Sequence, residues 1–301
     1  MIRTYASISV IALYLFGCDP NNYIEPETDT PLLVGKGVFS FQEYAPLANK
    51  PINVFYYVPS TATPSSEVVF IIHGNNRNAE DYRDAWVTKA EEYGLVIVAP
   101  EFNQALFSGS SNFLLGNVFA DGENPSPATL QAEEVRTFAL IEPLFDSILT
   151  KTGNNSEHYT MFGHSGGGQF LHRFLIFVPH GRYERVVAAN AGWYTVPDDA
   201  ISFPYGLGMT SHNDQSFFER SLIIHIGTLD DNPNSGALRH TEEADAQGMH
   251  RYARAHHFYA RSQAIADQTT HSFNWLIEDV EGVGHDHEGM SQYAADYLFA
   301  R

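Results

Sequence analysis

The chain of 301 residues is long enough for one large α/β domain with a well-buried core, or for two domains of average size. Hydrophobic residues make up 44% of it and charged residues 18%, a balance typical of globular proteins and not of disordered ones. The formal net charge of −19 would repel phosphate backbones and argues against nucleic-acid binding, and the single cysteine excludes an internal disulfide and a multi-cysteine metal site.

Residues 1–17 have the pattern of an export signal. Arg3 precedes an apolar run from Tyr5 to Phe16, which is too short to cross the roughly 30 Å hydrocarbon layer of a membrane comfortably. The run ends in LFGC, which resembles the lipobox of bacterial lipoproteins and implies cleavage before Cys18 and lipid attachment to its sulfur. We therefore expect a bilayer-anchored protein of the bacterial cell envelope, on the periplasmic face or the cell surface. A secretory signal with an incidental cysteine, or a disordered tail, is the alternative.

Residues 18–34 are rich in Asp, Glu, Asn and Pro and are predicted to form a solvated tether, whereas residues 35–301 are predicted to form the folded domain. In that domain, apolar strand-like runs alternate with segments of helical periodicity. The predicted strands cover 37–45, 52–60, 67–73, 95–100, 158–163, 185–192, 221–227 and 273–282, and the predicted helices cover 79–94, 131–153 and 169–178.

The alternation of strands and helices predicts an α/β fold, with a mostly parallel, doubly wound sheet and helices on both faces. The opening strand pair is expected to form an antiparallel edge. Two long irregular segments, 102–130 and 196–220, interrupt the alternation. Each is expected either to line a binding site or to be a simple surface excursion.

Residues 161–170, MFGHSGGGQF, contain the motif G-x-S-x-G between a predicted strand and a predicted helix. This is the context of a nucleophile elbow, a sharp turn that exposes the serine hydroxyl, here that of Ser165. Gly163 and Gly167 stand where a Cβ is expected to clash with neighbouring backbone. A P-loop would need Lys where Gln169 stands, and the glycine spacing does not fit a dinucleotide-binding fingerprint.

A nucleophilic serine needs a base, and the base needs an acid to orient it. Candidates for both lie at the carboxyl ends of predicted strands, where open α/β sheets place their sites. Asp230, after the strand 221–227, is the predicted acid, with Asp231 as the alternative. His285 is the predicted base because it follows the last strand through a glycine turn, and imidazole titrates near neutral pH. His287 is the alternative base.

Acyl transfer passes through a tetrahedral oxyanion, which needs two preorganised N–H donors. The amide of Gly166, directly after the nucleophile, is the first predicted donor. The second is expected in the loop after the strand 67–73, where Asn75 is the first choice and Asn76 the alternative. His73 in the same loop is expected to form hydrogen bonds there and not to take part in the chemistry.

The motifs IIHGNN, GHSGGGQF, HIGTLDD and GVGHDH, in this order, resemble those of the α/β-hydrolase superfamily. The most similar groups are polyhydroxybutyrate depolymerases, feruloyl-type esterases and dienelactone-hydrolase-like enzymes, and the resemblance extends from Gly35 to the C-terminus. It implies a triad of Ser165, Asp230 and His285 and no cofactor.

The GHSGGG elbow is also similar to that of bacterial cutinase-like polyesterases. Those enzymes often place an aromatic residue after the sixth strand, and Trp193 has a comparable position. We expect Trp193, Tyr194 and His164 to line the substrate pocket, with ordinary core packing as the alternative for the two aromatic residues. Cutinase-like enzymes usually carry disulfides, which this chain cannot form.

The sequence therefore predicts a lipid-anchored serine esterase that hydrolyses small or polymeric carboxylic esters without a cofactor or a metal. We infer no protein partner. A serine peptidase on the same scaffold is one alternative, because both reactions share an acyl-enzyme. A surface lipoprotein that binds a glycan or another partner with a silent triad is the non-enzymatic alternative. His285 and His287 could also bind a metal, but no second cluster of ligands lies nearby in the sequence.

Overall fold

Residues 31–236 and 238–300 are described by a computed structural model. The predicted export signal, Cys18 and residues 18–30 of the predicted tether lie outside the described residues. No helix in the described part of the chain combines the length and the apolar character that crossing a bilayer requires.

The described residues form eight strands, seven α-helices and several short 3₁₀ turns. The strands are β1 (Gly35–Phe41), β2 (Ile52–Val58), β3 (Val68–Ile72), β4 (Val96–Glu101), β5 (Tyr159–His164), β6 (Tyr183–Ala189), β7 (Ser221–Gly227) and β8 (Leu276–Val280). The helices are α1 (Ala79–Ala85), α2 (Val87–Tyr93), α3 (Ile141–Thr152), α4 (Gly166–Phe177), α5 (Glu242–Ala246), α6 (Arg251–Ala266) and α7 (His287–Phe299). The 3₁₀ turns are Ala45–Leu47, Pro127–Thr129, Glu133–Val135, Thr137–Leu140 and Ser216–Glu219.

All eight strands belong to one sheet with the order β1-β2-β4-β3-β5-β6-β7-β8. Strands β1 and β2 pair antiparallel, as do β2 and β4, and all other neighbours pair parallel. Each predicted strand corresponds to an observed one. The predicted α/β fold, with an antiparallel edge on a mostly parallel sheet, is confirmed.

The sheet is covered by helices on both faces, as the sequence predicts. All five residues of β3 are buried, which explains why this strand reads as a continuous apolar run. Because side chains alternate along a strand, Phe70 packs into a core with Phe145 of α3 and Phe170 of α4. Ile71 packs on the opposite face, in a core that includes Trp86 and residues of α7.

The predicted helix 79–94 is divided at Trp86, which caps the C-terminus of α1 and the N-terminus of α2. The predicted end is confirmed: Gly94 has a φ of 71°, in the left-handed conformation that commonly terminates helices at glycine.

The predicted helix 131–153 is wrong in its first half. The segment up to Leu140 forms 3₁₀ turns, and α3 begins only at Ile141. Pro143 explains the late start, because proline lacks an N–H and is tolerated in the first helical turn but breaks a helix interior. The predicted end at Gly153 is confirmed by its left-handed φ of 65°.

Candidate active site

Ser165 connects β5 to α4 in a strained backbone conformation. Its φ is 56° and its ψ is −113°, a geometry that costs a non-glycine residue on the order of 1–3 kcal/mol. The Ser165 N–H donates to the Ala189 carbonyl at 2.9 Å, and the Gln169 N–H donates to the Ser165 carbonyl at 3.0 Å. These bonds stabilise a turn that leaves Ser165 partly exposed between a buried strand and a buried helix.

The glycines around Ser165 allow α4 to lie directly against the sheet. A Cβ on Gly167 would be 2.0 Å from the carbonyl oxygen of Ile72, and a Cβ on Gly163 would be 2.5 Å from the carbonyl oxygen of Gly167. A Cβ on Gly168 would be 2.6 Å from the carbonyl oxygen of Ala189. The predicted clashes at Gly163 and Gly167 are therefore confirmed.

Two hydrogen bonds connect Ser165, His285 and Asp230. The Ser165 Oγ is 3.0 Å from His285 Nε2, and His285 Nδ1 is 2.7 Å from Asp230 Oδ2. The three residues follow β5, β8 and β7, whose carboxyl ends meet at one edge of the sheet. Asp231, by contrast, is exposed, and His287 is the first residue of α7.

Asp230 also forms a buried ion pair that the sequence does not reveal. Its Oδ1 accepts a hydrogen bond from Arg251 Nη1 at 3.3 Å, and the same nitrogen donates to Ser235 Oγ at 3.0 Å. The exposed fractions of the Arg251 and Asp230 side chains are only 2% and 3%. A buried carboxylate without a cation is costly. Arg251 thus compensates the charge of Asp230 and leaves Oδ2 available to His285.

The two predicted oxyanion donors are neighbours in the structure. A Cβ on Gly166 would lie 3.0 Å from the amide nitrogen of Asn75. The side chain of Leu114 closes the same space, because its Cδ2 would be 3.0 Å from that Cβ. Leu114 belongs to the irregular segment 102–130, so this segment borders the site.

His73 orients the loop that carries Asn75. His73 Nδ1 hydrogen-bonds to the Gly74 carbonyl at 2.8 Å, and His73 Nε2 accepts from the Phe102 N–H at 3.0 Å. The Gly74 carbonyl and the Asn75 N–H belong to one planar trans peptide, so holding the first fixes the direction of the second. Burial lowers the pKa of His73 to about 3, so the ring stays neutral.

His164 lies behind the base and is too deeply buried, at 3% exposure, to line a substrate pocket. Its ring centroid is 4.7 Å from that of His285, and its Nδ1 is 3.0 Å from the hydroxyl of Tyr82. Burial is the main reason that its pKa is well below the usual range. Tyr82 in turn stacks on His287, with the ring centroids 4.5 Å apart. In the described part of the chain, no group of His, Cys, Asp or Glu side chains is suited to hold a metal ion.

Trp193 and Tyr194 are core residues and not walls of a substrate pocket. Their exposed fractions are 2% and 0%. Tyr194 stacks on Phe258 with the ring centroids 4.4 Å apart. The guanidinium carbons of Arg173 and Arg239 lie 4.2 and 4.5 Å from the centroid of the Trp193 ring. This burial favours the alternative of core packing for both residues.

Arg239 joins the irregular segments at this edge of the sheet. Its guanidinium donates to both carboxylate oxygens of Glu123, at 2.8 and 2.6 Å, and to the hydroxyl of Tyr205 at 3.2 Å. Glu123 belongs to the segment 102–130 and Tyr205 to the segment 196–220. Both segments are thus attached to the loop that follows Asp230.

Leu229 adds an exposed apolar side chain next to the predicted acid. Its side chain is 59% exposed, and its backbone N–H donates to the carbonyl of Val283 at 3.0 Å, just before His285. The sequence gives no signal for this residue, because a single leucine after an apolar strand reads as part of the strand.

Comparison with solved structures finds many proteins of this fold, and two of them have high sequence identity along nearly the whole chain. Poly(aspartic acid) hydrolase-1 from Sphingomonas sp. KT-1 is 39% identical, with a TM-score of 0.83 over 90% of this chain and 100% of that chain. The poly(3-hydroxybutyrate) depolymerase from Bordetella parapertussis is 33% identical, with a TM-score of 0.83 over 89% of this chain and 90% of that chain.

An S-formylglutathione hydrolase from Agrobacterium tumefaciens, at 18% identity and a TM-score of 0.54 over 89% of this chain and 95% of that chain, shares the fold. No family model matches the sequence, and a search of curated proteins also finds no match. The identities of 39% and 33%, with nearly complete coverage, show that this chain belongs to the α/β-hydrolase family that includes the poly(aspartic acid) hydrolase and the poly(3-hydroxybutyrate) depolymerase.

Proposed function

We propose that this chain is a serine hydrolase that cleaves carboxylic esters through an acyl-enzyme on Ser165. The observation that carries the proposal is the continuous hydrogen-bond chain from Ser165 Oγ through both nitrogens of His285 to Asp230, at 3.0 and 2.7 Å. A serine hydroxyl becomes nucleophilic only with a base in reach and a third group that orients this base. A binding protein with a silent triad has no need for this arrangement.

The geometry suggests how the residues divide the reaction. His285 Nε2 accepts the proton of Ser165 as its Oγ attacks the carbonyl carbon, and Asp230 stabilises the resulting imidazolium through Nδ1–H. The oxyanion develops beside the amides of Asn75 and Gly166. His285 returns the proton to the departing alcohol. A water molecule, deprotonated by the same imidazole, then attacks the acyl-enzyme, and His285 returns this proton to the departing Ser165 Oγ as the acid is released.

The charges around the site favour an uncharged substrate. The formal net charge of −19 gives the chain an overall negative field. Two arginines near the site, Arg239 and Arg251, each already bind a carboxylate of the chain itself. The exposed side chain of Leu229 offers apolar contact instead. Neutral esters, among them polyesters such as the poly(3-hydroxybutyrate) named for the Bordetella relative, fit this surface best.

Hydrolysis of amide bonds is the second candidate. It is favoured by the relative of 39% identity, which is named for poly(aspartic acid), a polymer joined by amide bonds. Ester and amide hydrolysis share one acyl-enzyme, so the triad geometry suits both.

The test is a comparison of substrates on the purified protein. We expect turnover of 4-nitrophenyl butyrate and of a poly(3-hydroxybutyrate) film, and no turnover by Ser165→Ala at an unchanged melting temperature. Faster release of products from poly(aspartic acid) than from either ester would favour the second candidate. Wild-type turnover by Ser165→Ala would overturn both, because both need the acyl-enzyme.

We also propose that the chain is exported and held at the cell envelope by a lipid on Cys18. The support is the apolar run that ends in LFGC, followed by an acidic segment suited to a tether. Metabolic labelling with radioactive palmitate should mark the wild type but not Cys18→Ser, which should leave the membrane fraction. Equal labelling of both proteins would contradict the anchor.

A further inference from the structure

Tyr82 lies where the loop of Gly74 and Asn75 meets the nucleophile elbow. It belongs to α1, and its side chain is buried. A Cβ on Gly74 would lie 2.8 Å from the Tyr82 hydroxyl oxygen and 3.6 Å from the Cβ of Ser165. The phenol hydroxyl, the backbone of Gly74 and the nucleophile are therefore packed together at one point.

The Tyr82 hydroxyl lies between Gly74 and His164. Burial raises the pKa of Tyr82, and the adjacent backbone of Gly74 partly offsets this rise. The hydroxyl is 3.0 Å from His164 Nδ1. Burial keeps both groups uncharged, so this is a hydrogen bond between neutral partners. The Tyr82 hydroxyl thus connects Gly74 to the residue that directly precedes Ser165.

The carbonyl of Gly74 is held from the other side. It accepts hydrogen bonds from His73 Nδ1 at 2.8 Å and from the Arg77 N–H at 3.1 Å. The peptide group between Gly74 and Asn75 is therefore fixed by His73 and Arg77, and the Tyr82 hydroxyl packs against Gly74 itself. The next amide along the chain is that of Asn75, the candidate oxyanion donor.

We propose that Tyr82 is a positioning residue of the oxyanion hole. Its hydroxyl packs against Gly74 and hydrogen-bonds to His164, so that the amides of Asn75 and Gly166 are kept at the spacing that one oxyanion requires. This inference rests on the proposed serine-hydrolase function. The oxyanion exists only in the transition state and the tetrahedral intermediates. Tyr82 should therefore affect kcat and not substrate binding.

The direct test is Tyr82→Phe, which keeps the ring that stacks on His287 and removes only the hydroxyl. We expect kcat for 4-nitrophenyl butyrate to fall about tenfold, less than the loss on removing an oxyanion donor itself, with KM within about twofold of the wild type. The inhibition constant of phenylboronic acid, which forms a tetrahedral adduct with the serine, should rise by the same factor as kcat falls.

Tyr159→Phe is the matched control. Tyr159 is also buried, and its hydroxyl donates to Glu142 at 2.6 Å from the start of β5, at the opposite edge of the sheet from Ser165. This variant loses a buried hydroxyl of the same kind and should keep the wild-type kcat. Equal losses of kcat in the two variants, or an unchanged boronic acid affinity in Tyr82→Phe, would overturn the positioning role.

Two further variants keep the inference separate from the proposed function. His164→Gln changes the hydrogen-bond partner of the Tyr82 hydroxyl and should also lower kcat without raising KM, which provides a second test if Tyr82→Phe does not fold. Loss of activity in Ser165→Ala together with wild-type kinetics in Tyr82→Phe would refute the role of Tyr82 alone. Activity in Ser165→Ala would refute the serine mechanism itself.

Discussion

At the scale of single residues, Asp230 determines which nitrogen of His285 faces Ser165. Its Oδ2 lies 2.7 Å from Nδ1, so Nδ1 carries the proton and Nε2 presents a lone pair to Ser165. The second oxygen of Asp230 is occupied by the buried Arg251. The carboxylate is thus held at both oxygens and has little freedom to rotate.

We expect Asp230→Asn to lower kcat by roughly 10⁴, because an amide can stabilise the wrong tautomer of His285 and cannot neutralise the imidazolium. Ester hydrolysis at pH 8 measures the effect. Asp231→Asn, which changes the exposed neighbour, is the control and should keep the wild-type rate. A large loss of kcat in Asp231→Asn with little loss in Asp230→Asn would show that Asp231, and not Asp230, is the acid.

His225 in β7 should make the folded protein sensitive to acid. It is fully buried, and neither ring nitrogen has a hydrogen-bond partner among the described residues. Burial lowers its pKa to about 3. The unfolded chain binds a proton on this group below pH 6.5, whereas the folded chain does not until about pH 3. Through this group, the free energy of unfolding is therefore highest above pH 6.5 and decreases as the pH falls toward 3.

His225→Leu removes this titration and an unsatisfied buried polar group together. We expect its urea midpoint to equal or exceed that of the wild type at pH 8 and to decline less steeply between pH 6.5 and 4. Esterase activity at pH 8 checks that the site is intact. Parallel declines of the two proteins over this range would contradict the assignment.

At the scale of elements, the contact of α4 with the sheet determines the position of Ser165. Ser165 is the last residue before this helix, and the carbonyl oxygen of Ile72 in β3 lies where a Cβ of Gly167 would be. Any side chain at this position moves the helix away from the strand, and the nucleophile moves with it.

Gly167→Ala should therefore destabilise the fold by about 1–3 kcal/mol or more and reduce activity in the protein that remains folded. Gly153→Ala is a useful comparison: Gly153 has a left-handed φ of 65° at the end of α3, but no atom lies within 4 Å of its Cβ position. It should cost only the penalty for a left-handed backbone at a non-glycine residue, about 1–2 kcal/mol. Urea unfolding of both variants, with ester hydrolysis, measures the difference. A smaller loss of stability in Gly167→Ala than in Gly153→Ala would contradict the close packing.

Element types were predictable from the sequence wherever a local pattern determines them. The apolar run of β3 and the helix ends at Gly94 and Gly153 depend on burial and on backbone conformations that favour glycine. The start of α3 was not predictable by periodicity, because the 3₁₀ turns before Ile141 carry a similar apolar spacing and only Pro143 limits the helix.

At the scale of the whole molecule, the sheet topology explains why the site residues could be proposed from motif order. Ser165, Asp230 and His285 each follow a strand, and the carboxyl ends of parallel strands meet at one edge. Tyr82 and Arg251 could not be found this way. Their contacts with His164 and Asp230 depend on how helices pack onto the sheet, and no spacing in the sequence encodes that.

The outermost position of β8 has a consequence for the durability of the enzyme. His285 follows this strand, which among the described residues pairs only with β7 and leaves half of Leu276 exposed to solvent. Local unfolding begins in the elements that have the fewest contacts to break. On heating or in mild denaturant, hydrolysis should therefore cease before far-UV circular dichroism changes, and coincident transitions would contradict this. The working lifetime would then be limited by one peripheral strand, so reinforcing that strand should prolong activity more than any improvement of the core.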